Sequence, residues 1–352
     1  MIPVSAATLD SNIILKSEPQ TTSWQQQMAQ SLKTAEDLLN YLNIKAEDLP
    51  YEIDTQQPFA LRVTHHLANL INPKDPYDPI LLQVLPTRQE NSSMAGFVSD
   101  PLEEKSSNPL PGLIHKYKNR VLIIAHQACA MHCRYCFRRH FEYQPNNLNA
   151  EKLETIRQYL SERPEINEII LSGGDPLCLS DQKLATLLST LSSVPHLKFL
   201  RIHSRTPIAL PSRLSDGLVH LLSSQRLITA LVVHVNHANE LSDELVQRLL
   251  ILKKAGITLL NQSVLLKSIN DCPQKLTTLS EKLYQAGVLP YYLHLPDQVK
   301  GTAHFYIDHD QGAHIWQQLQ KELPGYLLPR LVKEIPGQTS KTWLNPAPEY
   351  EI

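Results

Sequence analysis

Three cysteines stand close together near the middle of the chain, and their spacing indicates metal chemistry. Cys129, Cys133 and Cys136 follow the pattern C-x3-C-x2-C. Three thiolates on one short loop can each bind a separate iron of a [4Fe–4S] cubane and leave the fourth iron without a protein ligand. An iron with an open coordination position can bind a further molecule directly, so this loop is the first candidate for a reactive site.

Other metal sites remain open on spacing alone. A zinc knuckle needs a fourth ligand, which His132 or His140 would supply. A cluster that serves only electron transfer would normally have a fourth cysteine. The chain has 5 cysteines, which cannot all pair, and in a reducing compartment we expect the neighbouring three to bind metal rather than form disulfides. Cys178, outside this group, is expected to be a small packing residue.

The composition is that of a folded, globular protein. The chain has 352 residues, 42% hydrophobic and 19% charged, which allows two domains or one large α/β domain with extensions. Its 33 basic and 35 acidic residues give a net charge of −2, so we expect no nucleic acid as a direct ligand. No apolar run approaches the ~18 residues that span a bilayer, and Asp10 interrupts the start where a signal peptide would be apolar. We therefore expect a cytoplasmic protein without a membrane partner.

Strand-like and helix-like segments alternate from residue 120 onward. The strand-like segments are 120–125, 168–171, 199–203, 229–235, 258–265 and 290–295, and the helix-like segments are 151–161, 182–191, 211–222, 243–254 and 273–285. This alternation predicts right-handed βαβ crossovers and a parallel sheet, either open and doubly wound or curved into a full or partial barrel. The preceding part has helix-like patches at 24–42 and 60–70 and a linker at 92–111 rich in Ser, Asn and Pro.

Polar side chains collect at the carboxyl ends of the predicted strands. They are His126 with the three cysteines, Ser172 to Asp175, His203 to Arg205, His234 with Asn236 and His237, Asn261 to Ser263, and His294 with Asp297. In a β/α barrel these strand ends form one mouth, which predicts a single active site lined by every strand. The alternative is that these residues are polar because loops begin there.

These features together resemble the radical S-adenosylmethionine superfamily. The cysteine motif follows the first strand of the β/α series and is followed directly by Phe137. The resemblance implies an α/β fold, a partial (β/α)6 barrel similar to a TIM barrel. It also implies that S-adenosylmethionine binds the open iron and that an electron from the cluster cleaves it to a 5′-deoxyadenosyl radical. The segment Ser172-Gly173-Gly174-Asp175 would contact the methionine end of this cofactor, since glycines allow close approach of a backbone to a ligand.

Further motifs narrow the resemblance. They are Arg120-Val121-Leu122, Cys136-Phe137-Arg138-Arg139, Ser172 to Leu177, Ser204-Arg205-Thr206-Pro207, His234 to His237, Asn261 to Leu266, His304-Phe305, and Pro336-Gly337 with Lys341. In order and spacing they resemble the lysine 2,3-aminomutase family, and most closely its short branch, which makes β-lysine for the modification of translation elongation factor P. This resemblance implies an isomerase, an intramolecular aminotransferase, with pyridoxal phosphate as a further cofactor.

The same resemblance implies roles for particular residues. Lys341 lies where the family's Schiff-base lysine lies, Arg120 where a residue holds the cofactor phosphate, and Arg138 where a residue binds the substrate carboxylate. The planar fork of arginine suits both anions. Glu334 lies where an acidic residue recognises the ε-ammonium group of lysine. Residues expected to bind cofactor from the strand ends are Ser172, Gly173, Gly174, Asp175, Ser204, Arg205, His234, Asn236 and Gln262.

The sequence departs from the family pattern at two positions. The family's free-lysine enzymes carry a second acidic residue at the position of His294; a neutral histidine can still accept a hydrogen bond, and Asp297 can supply the charge. This departure keeps another substrate, such as glutamate or arginine, as an alternative. Cys272 lies where longer members have a zinc ligand, but the sequence ends 11 residues after Lys341, and we expect no structural zinc.

The sequence therefore predicts three parts and one reaction. The parts are a mainly helical extension with its linker at 1–110, the partial barrel at 111–300 and a short segment carrying Lys341 at 301–352. The reaction that the family resemblance implies moves the α-amino group of L-lysine to the β-carbon and gives (R)-β-lysine. The implied partners are elongation factor P with its lysyl ligase and a reductase or flavodoxin-type electron donor, and the N-terminal third either covers the barrel or forms a homo-oligomer contact. The alternative from another class is a non-catalytic zinc- or Fe–S-binding module.

Overall fold

The computed structural model describes residues 22–344. Residues 1–21 and 345–352 lie outside the described part, so the outer ends of the predicted first and third parts lie outside it as well, as does Asp10. No helix in residues 22–344 is long and apolar enough to cross a membrane.

One mixed sheet forms the centre of the described chain. Its strands are β1 Leu113–Tyr117, β2 Arg120–His126, β3 Glu168–Gly173, β4 Phe199–Ser204, β5 Ile228–Val233, β6 Thr258–Val264, β7 Leu289–His294, β8 Arg330–Lys333 and β9 Thr342–Trp343. The strands lie side by side in chain order. Strands β2 to β8 are parallel, and β1 and β9 flank them as antiparallel edges. The sheet is thus a partial, open barrel whose strand ends share one rim.

Helices connect the parallel strands. In the described part they are α1 Trp24–Ala29, α2 Ala35–Leu42, α3 His65–Ala68, α4 Pro79–Val84, α5 Tyr143–Asn146, α6 Ala150–Ser161, α7 Asp181–Ser192, α8 Thr206–Ala209, α9 Asp216–Ser223, α10 Asp243–Lys254, α11 Pro273–Gln285 and α12 His309–Glu322. Four crossover helices begin after an N-cap residue whose side chain accepts a hydrogen bond from a backbone N–H of the first turn. These N-cap residues are Asn149, Ser180, Ser215 and Ser242. Local sequence therefore sets where each of these helices begins.

The predicted strands are confirmed, and their bounds differ from the observed ones by two residues at most. The predicted helix at 211–222 is wrong in part, because Pro211–Arg213 is a 3₁₀ turn and Ser215 starts α9. The predicted helices at 24–42 and 60–70 are also interrupted, since Leu32 pairs with Val63 in an antiparallel bridge. Strands β1, β8 and β9 and helix α12 were not predicted.

The N-terminal extension packs directly on the barrel. One continuous apolar core contains Leu38 and Leu81 of the extension together with Ile123 and Leu171 of the central strands. Helix α12 packs beside α11, and its buried Leu319 joins Leu276 of α11, Leu293 of β7 and Leu331 of β8 in a second cluster. The extension is therefore part of the wall around the strand ends.

Candidate active site

A cavity of about 530 Å³ is lined by the carboxyl ends of the parallel strands and by residues near their starts, such as Arg120 of β2 and Glu168 of β3. Seventeen of the residues predicted to bind cofactor, substrate or metal line this cavity: Arg120, Cys129, Cys133, Cys136, Arg138, Ser172, Gly173, Gly174, Asp175, Arg205, His234, Asn236, Gln262, His294, Asp297, Glu334 and Lys341. Ser204 lies outside the lining, where its hydroxyl donates to Asp175 at 2.7 Å. The fold thus brings residues that lie on, or directly after, every parallel strand to one chamber.

The three cysteines of the predicted cluster loop follow β2 and are all free thiols that face the cavity. Burial raises the pKa of each thiol above its ordinary value, and a bound metal cation would reverse this effect by stabilising the thiolates. Within residues 22–344 no three or more His, Cys, Asp or Glu side chains are grouped to hold a single metal ion. The thiolates of a cubane bind different irons, so they need not converge on one point.

The glycine-rich segment packs its backbone against the cysteine loop. Gly173 has a φ of +123°, and a Cβ atom there would lie 2.5 Å from the carbonyl oxygen of His126. A Cβ atom on Gly174 would lie 2.7 Å from the carbonyl oxygen of Ala128 and would press on Gln127 as well. Side chains cannot be accommodated at that spacing, so both glycines are required for the approach of β3 to the loop.

Asp175 joins the ends of β3 and β4. Its buried carboxylate accepts hydrogen bonds from the Ser204 hydroxyl and from the backbone N–H groups of Leu177, Arg205 and Thr206, at 2.7–3.0 Å. These four bonds occupy the carboxylate, so Asp175 acts through the loop that it holds.

Arg138 is paired within the protein. Its guanidinium donates to both carboxylate oxygens of Glu104, at 2.8 and 2.7 Å, and to the Ser172 hydroxyl at 3.0 Å. Burial would lower the pKa of Arg138, but the attraction of Glu104 outweighs it and holds the pKa above the usual range. The arginine is therefore a fixed cation at the cavity wall, next to the glycine-rich segment.

Glu334 and Lys341 face each other across the β8–β9 hairpin. The pairing of Lys333 with Thr342 brings the next residues, Glu334 and Lys341, opposite one another, and the Lys341 ammonium donates to Glu334 at 2.7 Å. Lys116 of β1 donates to the other carboxylate oxygen at 3.0 Å. Burial alone would raise the pKa of Glu334, but the two ammonium groups outweigh it and lower this pKa to about 2.

Asp297 and His294 lie near this pair. Burial and the charge of Glu334 raise the pKa of Asp297 to about 7, against the attraction of Lys341. Burial lowers the pKa of His294 well below its ordinary value, so this imidazole is neutral near pH 7, and its Nε2 atom has no partner among the described residues. Around Lys341 the chamber therefore has one carboxylate that is ionised, Glu334, and one that titrates near neutrality, Asp297.

Arg205 is held by a buried network. It donates to Gln83 at 2.7 Å and to Glu240 at 2.9 Å, and Asn236 donates to the same oxygen of Gln83. One terminal nitrogen of Arg205, Nη1, is buried without a partner in the described part. An acceptor on a molecule in the cavity would satisfy this nitrogen.

Comparisons with known proteins decide the family. A model of the radical SAM superfamily matches residues 123–277. L-lysine 2,3-aminomutase of Buchnera aphidicola subsp. Baizongia pistaciae is 44% identical over 323 residues, covering 92% of this chain and 95% of that protein. The enzyme of the same name from Escherichia coli is 44% identical over 335 residues, covering 95% and 98%. The one from Clostridium subterminale is 34% identical over 331 residues, covering 94% and 79%.

The chain belongs to the L-lysine 2,3-aminomutase family. This confirms the predicted fold class and the prediction of an isomerase of the radical SAM superfamily. Membership implies a [4Fe–4S] cluster, S-adenosylmethionine and pyridoxal phosphate as cofactors.

The donor set fits these cofactors of the aminomutase family. Three free thiols face one chamber with an unpartnered Arg205 nitrogen nearby. The primary amine of Lys341 faces the same chamber. Arg120 contributes a cationic guanidinium, which lies 4.2 Å from the centroid of the Tyr117 ring and donates a hydrogen bond to Asn119. The thiols suit iron, the amine suits a carbonyl cofactor, and the guanidinium suits a phosphate.

Sequence reasoning missed several residues of the aminomutase chamber. Glu104, Gln83 and Lys116 pair with predicted site residues, and no motif marks any of them in the sequence. Arg201 on β4 also lines the cavity, paired with Glu168 at 2.7 Å. Its position between Leu200 and Ile202 could have marked Arg201 as a site residue, because a charged side chain inside a buried strand needs a partner.

Proposed function

We propose that this chain is a lysine 2,3-aminomutase that converts L-lysine, (S)-α-lysine, to (R)-β-lysine. The observation that supports this most is the placement of the cysteine trio and the Lys341–Glu334 pair in one chamber. When bound, the cluster with S-adenosylmethionine supplies hydrogen-abstracting radical chemistry, and pyridoxal phosphate supplies a carrier for the migrating amino group.

The residues of the chain bind and orient the reactants in this proposal. Cys129, Cys133 and Cys136 hold the cluster, and Lys341 holds pyridoxal phosphate with Arg120 at its phosphate. The segment Ser172 to Asp175, with Ser204, Arg205, His234, Asn236 and Gln262, shapes the site of S-adenosylmethionine. Cofactors and substrate that fill this chamber of about 530 Å³ would displace water from around a reactive radical.

Substrate charge is matched at both ends of the molecule. Arg138 at the wall attracts the α-carboxylate as a buried cation, and terminal N–H hydrogens that Glu104 and Ser172 leave unused donate to it. Glu334 pairs with the ammonium of Lys341 at 2.7 Å, and the ε-ammonium group of an incoming lysine replaces it charge for charge. Asp297 supplies the second carboxylate, and His294 stays neutral beside it. Two acidic groups favour a cationic side chain and disfavour glutamate.

A product assay tests this function. The protein is reconstituted anaerobically with iron, sulfide, S-adenosylmethionine and pyridoxal phosphate, reduced, and incubated in parallel with lysine, arginine and glutamate. Chromatography of the derivatised amino acids should show β-lysine as the main β-isomer. Formation of β-arginine or β-glutamate instead would contradict the substrate, and zinc without iron or sulfide in the purified protein would favour the non-catalytic module.

Two variants separate the cofactors in the same assay. Cys133→Ala should abolish β-lysine formation because it removes a cluster ligand, while the pyridoxal absorbance stays. Lys341→Ala should lose that absorbance while iron and sulfide stay. Lys118→Ala, an exposed lysine of the β1–β2 turn, is the matched control and should retain both.

The biological context is part of the same proposal. The product would be attached to elongation factor P by its lysyl ligase, and a reductase or flavodoxin-type protein would reduce the cluster. We place the reaction in the cytoplasm, where thiols stay reduced. Incubating elongation factor P with the ligase and the enzymatic product should add the mass of one lysyl residue, and a ligase that ignores the product would contradict this link.

A further inference from the structure

The N-terminal extension binds the cysteine loop through its backbone. The backbone N–H of His132 donates to the carbonyl of Arg62 at 3.0 Å, and the N–H of Arg134 donates to the carbonyl of Gln83 at 2.9 Å. The Arg62 guanidinium in turn donates to the carbonyl of Cys129 at 3.0 Å. The loop is therefore attached along its length to a part of the chain without recognisable motifs.

Glu90 is the acidic centre of this contact. It lies on a 3₁₀ turn, Arg88–Asn91, and one carboxylate oxygen accepts the Nε–H of Arg134 at 2.8 Å. The other oxygen accepts from terminal nitrogens of both Arg134 and Arg139. All three side chains are almost completely buried, with exposed fractions of 1%, 0% and 3%.

Arg139 extends the contact to a third segment. Its Nη1 atom donates to the carbonyl of Arg134 at 3.1 Å and to the carbonyl of Gly301 at 2.9 Å. A Cβ atom on Gly301 would lie 2.9 Å from this guanidinium. One carboxylate therefore connects the extension, the cysteine loop and the loop that follows β7.

The charges of this group do not cancel. Two buried guanidinium groups share one carboxylate, so the group carries a net charge of +1 directly beside the cysteines, since Arg134 stands between Cys133 and Cys136 in the chain. A buried positive charge stabilises the reduced, more negative form of a nearby cluster.

We propose that Glu90 is the positioning residue of the cluster loop and sets the charge next to the cluster. This inference rests on the proposed cluster ligands. It assigns the extension a task that composition and motifs did not reveal. Glu90 fixes the two arginines, and the arginines fix the loop.

The test uses the full-length protein, reconstituted anaerobically without S-adenosylmethionine or substrate. Iron and acid-labile sulfide per chain give the cluster content, and a redox titration followed by electron paramagnetic resonance gives the midpoint potential. Glu90→Gln raises the local charge from +1 to +2, so it should hold at most half the wild-type cluster, at a higher midpoint potential. In Glu90→Gln/Arg139→Gln the charge is again +1, and the potential should return to the wild-type value.

Matched variants separate position from charge. Glu47→Gln, an exposed glutamate on another 3₁₀ turn of the extension, should match the wild type in content and potential. If circular dichroism shows that the Glu90→Gln protein does not fold, Glu90→Asp is measured instead. This variant should keep the wild-type midpoint potential but hold less cluster per chain. Wild-type content and potential in a folded Glu90→Gln protein would overturn the inference, as would lower content at an unchanged potential. A wild-type protein that binds no cluster would instead overturn the proposed function.

Discussion

Glu334 pairs with two lysines, and only one of these pairs has to break when a cationic substrate binds as proposed. It lies between two lysines and stays ionised at all physiological pH values, since its pKa is about 2. Lys116 also donates to the carbonyl of Leu102, which fixes its ammonium at the wall. Lys341 has only the carboxylate as a hydrogen-bond partner in the described part. A cationic substrate can therefore replace Lys341 while Lys116 keeps Glu334 in place.

The proposed role of Arg138 in binding the substrate carboxylate leads to a prediction about substrate affinity. Arg138→Lys keeps a cation opposite Glu104 but loses the fork, so the KM for lysine should rise by about 10- to 150-fold, the equivalent of ~1.5–3 kcal/mol for a charged hydrogen bond. Steady-state kinetics at saturating S-adenosylmethionine measures this. Arg248→Lys is the control, because Arg248 pairs at 3.6 Å with the exposed Asp216. An unchanged KM in a folded Arg138→Lys protein would contradict the proposal that Arg138 binds the substrate carboxylate.

Asp297 leads to a pH prediction. Burial and the negative charges of Glu334 and Glu104 raise the pKa of Asp297 to about 7. The positive charges of Lys341 and Lys116 oppose this increase. In the proposed binding mode the ε-ammonium group of lysine favours the ionised form of Asp297, so below pH 7 the enzyme would have to release a proton to bind lysine. The apparent dissociation constant of lysine should therefore rise about tenfold from pH 8 to pH 6.

The matched variant for this pH effect is Asp297→Asn. It should bind lysine more weakly at pH 8 and lose the extra pH dependence, because Glu334 stays ionised and His294 stays neutral throughout this range. Calorimetric titration of lysine into the protein containing pyridoxal phosphate gives both curves. If the two proteins show the same pH profile, Asp297 does not face the ammonium group.

At the scale of elements, the six central strands were predictable and the edges were not. Apolar runs of the length seen in β3 or β5, separated by capped helices, mark buried parallel strands. β8 has 4 residues and β9 has 2, which is too short for any periodicity to appear. Their hairpin nevertheless places Glu334 against Lys341. The family motif predicted both residues, whereas their direct contact followed only from the fold.

Gly174 leads to a prediction about the packing of β3 on the cysteine loop. An added methyl group would meet the carbonyl oxygens of Gln127 and Ala128, so Gly174→Ala should displace the loop at a cost of about 1–3 kcal/mol for overpacking. We expect a lower melting temperature and less iron per chain after reconstitution. Gly325→Ala is the control, because nothing lies within 4 Å of its added Cβ atom. Wild-type iron content in Gly174→Ala would show that the loop does not depend on this contact.

At the scale of the whole molecule, the N-terminal extension is the part that sequence reasoning described least. It supplies Gln83 to Arg205, Glu90 to Arg134 and Arg139, and Glu104 to Arg138. These partners are separated by 34 to 122 residues in the chain. Single-sequence patterns describe local periodicity, so pairs of this separation appear only when the chain is folded. The cavity depends on the extension as much as on the strands.

The continuous core predicts that the extension and the barrel unfold together. Residues from α2 and α4 share one apolar cluster with the central strands, and Trp24 of α1 lies 4.7 Å from the guanidinium of Arg213. The chain has 3 tryptophans, so Trp316→Phe/Trp343→Phe leaves Trp24 as a probe of the extension, and Trp24→Phe/Trp343→Phe leaves Trp316 as a probe of α12. In urea, the fluorescence midpoint of each variant should coincide with the midpoint of its own circular dichroism, as a cooperative transition requires. Loss of the Trp24 signal at a lower urea concentration would mean that the extension opens independently. In that case its three acidic and amide side chains, Gln83, Glu90 and Glu104, would hold the site arginines only while the extension is docked on the barrel.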